Sequence, residues 1–258
     1  MKVIAIINQK GGVGKTTTAI NLGACLAEKG ISTLLIDLDP QANATSGLGV
    51  VCEQHQSIYP ALIGEKTARE MVQATSYANL FLIPSEIDLA GCEIELARLD
   101  SPLIRVKEVI EPLRHDMAYE YILIDCPPSL GVLMTNALAA AEGLVVPLQC
   151  EFYALEGIKK IFDLVTRMSP INPHLKILGI LMTMYDTRTR LSQQVVEDVH
   201  QHLPDKVFQT IIPRSVRFGE APGFGQPITV YDPHGISANA YRDFTDEFLM
   251  RCRNHVNV

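Results

Sequence analysis

The sequence predicts an α/β protein with a doubly wound, mostly parallel central sheet flanked by helices. Three observations carry this. The strands read as short, continuously apolar runs rather than alternating ones, the pattern of strands covered on both faces. Segments of helical length separate the runs, so successive strands are joined by crossovers and lie parallel. A glycine-rich loop, Gln9 to Thr17, stands between the first apolar run and the first helical stretch.

The strands are predicted at Val3–Ile7, Thr33–Ile36, Leu80–Ile83, Tyr121–Ile124, Gly143–Pro147, Ile177–Leu181 and Val207–Ile212. Helices are predicted at Thr17–Lys29, Ile87–Arg98, Leu103–Met117, Leu130–Ala141, Ala154–Met168, Leu191–Leu203 and Ser237–Arg253. Gly30 stands where a helix C-terminal glycine belongs. Leu191, Val195, Val199 and Leu203 recur every four residues and predict one buried stripe. Residues 45–65 and 218–236, rich in Gly, Pro and Ser, read as loops. With 258 residues, 47% of them apolar, the chain can bury the core of one α/β domain spanning 1–258. No apolar stretch approaches the roughly 18 residues that a membrane-spanning helix needs. Met1-Lys2 followed at once by a strand leaves no room for a signal peptide, and the six cysteines contain no Cys-x-x-Cys pair, so reduced thiols in the cytoplasm are expected.

The loop Gln9-Lys10-Gly11-Gly12-Val13-Gly14-Lys15-Thr16-Thr17 has the strand–loop–helix layout of a phosphate cradle. Its glycines let successive N–H groups point inward, and the following helix adds its positive end. Lys15 is placed to bridge β- and γ-phosphates, and the Thr16 hydroxyl to hold Mg²⁺. ATP and Mg²⁺ are the expected ligands. A dinucleotide loop is disfavoured because Gly12-x-Gly14 lacks a third glycine at position 17. Gln9 occupies the position where the usual loop has glycine, and a second lysine, Lys10, stands beside it. Lys10 either points to solvent or reaches phosphate, in its own subunit or across a dimer interface. In the last case it would neutralise charge on the transferred phosphoryl group.

Ligands of open α/β sheets gather at strand carboxyl ends. Asp37 and Asp39 end the second strand. Asp39 could orient or activate the attacking water; Asp37 could act through metal-bound water or as a structural cap. Tyr121-Ile-Leu-Ile-Asp125 aims one acid from a buried strand at the Mg²⁺ shell, and Pro127-Pro128 forces a turn after it. Pro213 and Ser215 follow the last strand and should face the nucleotide, or simply form its exit loop. Arg188 and Arg190 open the helix at 191, and Arg217 lies in a loop. Guanidinium groups so placed suit phosphate backbones or form a solvated face. The net charge of −7 argues against nucleic acid on average, yet leaves room for a local basic strip.

Lys10-Gly-Gly-Val-Gly-Lys-Thr-Thr resembles the deviant Walker A motif of the ParA/MinD superfamily of ATPases, a branch of the P-loop NTPase fold. Asp37-Leu-Asp39-Pro-Gln and Asp125-Cys-Pro-Pro-Ser129 are similar to its two switch regions. The resemblance implies that Lys10 contacts nucleotide in the partner subunit of an ATP-sandwich homodimer. It gives Asp39 the water-handling role, with Asp125 and Asp39 meeting Mg²⁺ through water. It places adenine against Pro213 and residue 215, where the family often has Asn and this chain has Ser. Arg188 and Arg217 match arginines that bind DNA without sequence preference in ParA-type proteins. A ParB-like centromere-binding partner and a nucleoid-associated location follow from the same resemblance. With no helix-turn-helix segment before Val3, the small chromosomal form is expected, without operator recognition.

Two other functions compete. A MinD-like membrane-cycling ATPase needs a basic amphipathic C-terminal helix. The tail has Phe244, Phe248, Leu249, Arg251 and Arg253, but also Asp243, Asp246 and Glu247, so it reads as a helix packed on the domain and no stable membrane association is expected. An iron–sulfur carrier wants paired cysteines, and Cys92 with Cys126 is the one remotely suitable pair.

Overall fold

A computed structural model describes residues 1–115 and 119–254. Its eight-stranded sheet has the order β3-β4-β2-β5-β1-β6-β7-β8. The strands are β1 (Lys2–Ile6), β2 (Thr33–Asp37), β3 (Gln73–Ala74), β4 (Leu80–Ile83), β5 (Tyr121–Asp125), β6 (Gly143–Gln149), β7 (Lys176–Tyr185) and β8 (Val207–Pro213). Every neighbouring pair is parallel except β3 with β4. Strand β3 was not expected: two polar-to-small residues at a sheet edge carry no apolar run.

The continuous apolar character of the strands is explained by two separate cores. Val3, Ala5, Leu34, Ile36, Ile122 and Ile124 point to one face. Ile4, Ile6, Leu35 and Leu123 point to the other. On the first face lie the helices α6 (Arg105–His115), α7 (Val132–Ala140), α8 (Ala154–Met168) and α9 (Arg190–His202). On the second lie α1 (Lys15–Glu28) and α12 (Ile236–Asn254). The predicted end of α6 at 116–117 lies outside the described residues. Gly30 has φ 77°, as the position after a helix end requires.

Three expectations are corrected. The stripe on α9 is narrower than predicted: Val195 and Val199 are buried, whereas Leu191 is 46% exposed in the first turn. Residues 87–98 form a 3-10 turn at Ile87–Gly91 followed by the short α5 (Cys92–Leu96), not one helix. The segments 45–65 and 218–236 are not plain loops. They contain α2 (Asn43–Gly47), α3 (Ile58–Leu62), α10 (Arg217–Glu220), a 3-10 turn at Ala221–Phe224 and α11 (Ile228–Tyr231); α4 (Ala68–Met71) lies between the two segments. Local caps make helices this short possible. The Ser57 side chain accepts from Tyr59 N at 3.1 Å, and Thr67 with Glu70 forms a reciprocal cap.

Candidate functional site

Strand β1 sits between β5 and β6, and the loop after it rises at the carboxyl edge of the sheet. Gly12 and Gly14 have φ of 76° and 92°, the left-handed region where a side chain would be strained. Gly11 shows no positive φ, so the expectation that it shares this need is not met. The loop is pinned from three sides. Asn8 donates to the Pro147 carbonyl at 2.8 Å and accepts from Lys10 N at 3.0 Å, and Thr183 donates to the Val13 carbonyl at 2.9 Å. Asn8 and Thr183 were not singled out in the sequence, although each is a lone polar residue at the end of an apolar run.

Lys15 is buried and donates to the Lys10 carbonyl at 3.1 Å, across the mouth of the loop. Burial lowers its pKa, and Asp125, Cys126 and Asp39 oppose that fall. Asp37 and Asp125 are register partners on β2 and β5, both fully buried. Their environments differ. Asp37 accepts from Thr45 N at 2.8 Å, Thr45 Oγ1 at 2.7 Å and Asp39 N at 3.2 Å, so it ties α2 to the strand end. Of the two roles open to it, the structural cap is the one these contacts serve. Burial still pushes its carboxyl up to about 6. Neither oxygen of Asp125 has a hydrogen-bond partner among the described residues. Burial first, and then the charge of Asp37, push its carboxyl well above the usual range; the nearby Thr16 hydroxyl and Lys15 ammonium offset part of this. An orphaned buried carboxylate beside a threonine hydroxyl fits a hard divalent cation that keeps most of its waters. Asp39 is also buried, with Oδ1 accepting from Gln41 N at 3.0 Å.

Beside the loop, a cavity of about 330 Å³ is lined by Gly14, Thr17, Thr183, Met184, Pro213 and Ser215, among others. Its size suits part of a nucleotide. Met184 takes φ 54°, unusual outside glycine and the kind of strain that collects at binding sites. The Ser215 hydroxyl accepts from Arg217 N at 3.2 Å. Lys10 lies outside this cluster. Its side chain is 52% exposed and its ammonium pairs with Glu151, next to Phe152 and Tyr153, both largely exposed. Glu151 lies 141 residues from Lys10 in the chain, and nothing in its local sequence marks it. Arg188 and Arg217 are exposed and lie beyond the ends of β7 and β8.

The first 177 residues match the family model described as an AAA domain. The sporulation initiation inhibitor protein Soj of Bacillus subtilis is 49% identical over 95% of this chain and 97% of its own length. The chromosome partitioning protein ParA of Caulobacter vibrioides is 46% identical over 98% and 96%. The chain belongs to the ParA/Soj partitioning ATPases. A solved structure of a cobyrinic acid a,c-diamide synthase from Mycobacterium smegmatis, with bound ATP analogue and magnesium, superposes with a TM-score of 0.84, at 36% identity, over 99% of this chain and 97% of that one. As a ParA/Soj ATPase, the chain hydrolyses ATP. The doubly wound, P-loop-type sheet predicted from the sequence is the fold observed. None of the six cysteines is in a disulfide and five of them are buried, and no group of metal-binding side chains is found among the described residues.

Proposed function

We propose that this ParA/Soj ATPase closes into a homodimer on binding ATP, that the dimer binds DNA without sequence preference, and that a ParB-like centromere-binding protein ends the cycle by stimulating hydrolysis. The observation that carries the reading is the position of Lys10. A lysine committed to its own phosphates would turn into the cradle, as Lys15 does. Lys10 instead stands on an exposed rim with Phe152 and Tyr153, where a second subunit can be met.

In this reading the cradle amides of Gly11 to Thr17 and the Lys15 ammonium hold the phosphates. Pro213 packs on the base, and the 215 position contributes through its backbone. Thr16, Asp125 and Asp39 are the residues that would hold Mg²⁺ beside the phosphates. Bound Mg²⁺ neutralises phosphate charge. Asp39 orients the water that attacks the γ-phosphate and takes up its proton. Lys10 from the partner offsets charge that develops on the transferred group. Arg188 and Arg217, doubled by the two-fold axis, supply a basic strip on an acidic protein, in keeping with a cytoplasmic, nucleoid-associated life. Such binding is weak per contact and strongly salt-dependent.

A MinD-like membrane cycle is the second reading. Against it stands α12, whose Tyr241, Phe244, Phe248 and Cys252 are buried in the core, while Arg251 lies 4.2 Å from the centre of the Phe208 ring and pairs with Glu247 at 3.1 Å. Its aromatic side and Arg251 are thus engaged within the domain. The test is DNA affinity with ATP and with ADP, across a salt series, for the wild-type protein and Arg188→Ala. Tight, salt-sensitive binding with ATP alone, lost in Arg188→Ala, is expected. Equal binding in the two nucleotide states contradicts the reading.

A further inference from the structure

Arg188 and Arg217 share a construction that their DNA role does not require. They leave neighbouring strands at one sheet edge, where Arg214 N donates to the Tyr185 carbonyl at 2.9 Å. Both side chains are exposed, and both guanidinium groups are already occupied. Arg188 makes a two-toothed pair with Asp186, Nε to Oδ1 at 2.8 Å and Nη2 to Oδ2 at 2.7 Å. That pair holds the Asp186 carboxyl well below the usual range, so it stays charged. Arg217 Nη1 meets Glu220 Oε2 at 2.9 Å, and the Tyr231 hydroxyl donates to the same oxygen at 3.0 Å. A phosphate approaching either arginine must displace a carboxylate or share the guanidinium with it, and is repelled by that carboxylate meanwhile.

We propose that Asp186 and Glu220 are affinity-setting residues of the DNA face: they hold the single subunit's attraction for DNA down, so that only the doubled face of the dimer binds. This rests on the reading of Arg188 and Arg217 as DNA contacts. Exposed ion pairs of this kind shift an equilibrium by roughly 2- to 5-fold each. One pair changes little, whereas the two arginines of two subunits multiply the effect. The ratio of dimer to monomer affinity is therefore set by these acids as well as by the number of arginines.

The substitutions that test this leave the local fold in place. Asp186 Oδ1 also accepts from Arg188 N at 3.0 Å, and Asp186→Asn keeps an oxygen for that bond while removing the charge. Glu220→Gln likewise keeps an acceptor for Tyr231. The experiment is fluorescence anisotropy on a short DNA duplex with the full chain, with ATP and with ADP. The variants are Asp186→Asn, Glu220→Gln, the double variant, Arg188→Ala, and Asp163→Asn as a charge-loss control on exposed α8. Each single acid variant is expected to tighten ADP-state binding roughly 2- to 5-fold and ATP-state binding, where two copies act, by about the square of that factor. The double variant should approach the product of the two and bring ADP-state binding up towards that of the wild-type ATP state, with Asp163→Asn unchanged. Asp186→Asn should have no effect in an Arg188→Ala background at salt high enough to screen the bare Asp186 charge. If Arg188→Ala weakens binding while the acid variants bind like wild type or more weakly, the inference fails and the DNA reading stands. If Arg188→Ala binds like wild type, the DNA reading fails and takes the inference with it.

Discussion

At the scale of single residues, the site depends on a buried carboxylate that is costly to keep. Asp125 has no hydrogen bond among the described residues, and its neighbour Asp37 is a second buried acid. For an acid raised by folding, the folded state holds its proton longer than the unfolded state does. Its stability contribution is present below the unfolded pKa and lost as pH rises to the folded one. For Asp37 that window runs from an ordinary 3.8 to about 6, worth on the order of 3 kcal/mol; for Asp125 it extends higher. The nucleotide-free protein should therefore lose thermal stability between pH 5 and pH 8 through these two groups. Asp125→Asn should recover part of that loss, about 1–3 kcal/mol, while abolishing Mg²⁺-dependent ATP turnover. Thermal melts of both proteins at pH 5.5 and 8, without nucleotide, check this; an Asp125→Asn variant less stable than the parent at pH 8 would contradict it. Asp39→Ala should bind ATP but slow hydrolysis at least 100-fold or so, the usual scale for removing a group that handles the nucleophile's proton, as single-turnover phosphate release would show.

At the scale of elements, α12 is the helix whose placement separates the competing functions. It buries Tyr241, Phe244 and Phe248 against the sheet, and Phe208 meets Phe244 edge to face with centroids 4.9 Å apart. Phe248→Ala should cost about 3–5 kcal/mol, the loss expected for a large core side chain, seen as a shifted denaturant midpoint. A helix free to enter a lipid surface would show almost no change. The long elements were legible because burial on both faces writes itself into the sequence: Leu34-Leu35-Ile36 supplies both cores in turn. What was not legible has physical reasons. Strand β3 is two residues long and lies at an edge. The short helices α2, α3 and α10 are held by contacts such as Asp37 to Thr45, which join residues eight apart, rather than by periodicity. Leu191 fits the stripe by spacing, yet the first turn of α9 projects beyond the core.

At the scale of the whole molecule, the candidate site divides into a cradle and a rim. The cradle residues Gly12, Gly14, Lys15, Thr16 and Asp125 were legible, since strand–loop–helix spacing and a strand-end acid fix their chemistry locally. The partners of the rim were not. Glu151 reaches Lys10, and Asp186 and Glu220 reach the arginines, through turns that only the folded chain defines. The Lys10–Glu151 pair is half exposed and worth about 1 kcal/mol or less, so nucleotide phosphates in a facing subunit can draw Lys10 away. The central claim is that Lys10 turns ATP binding into assembly. The most direct test is the molar mass in solution, by light scattering with ATP, of the slowly hydrolysing Asp39→Ala protein with and without Lys10→Ala. Twice the mass of one chain is expected for Asp39→Ala alone, and one chain's mass once Lys10 is also replaced, with ATP still bound. A dimer that persists without the Lys10 side chain would contradict it.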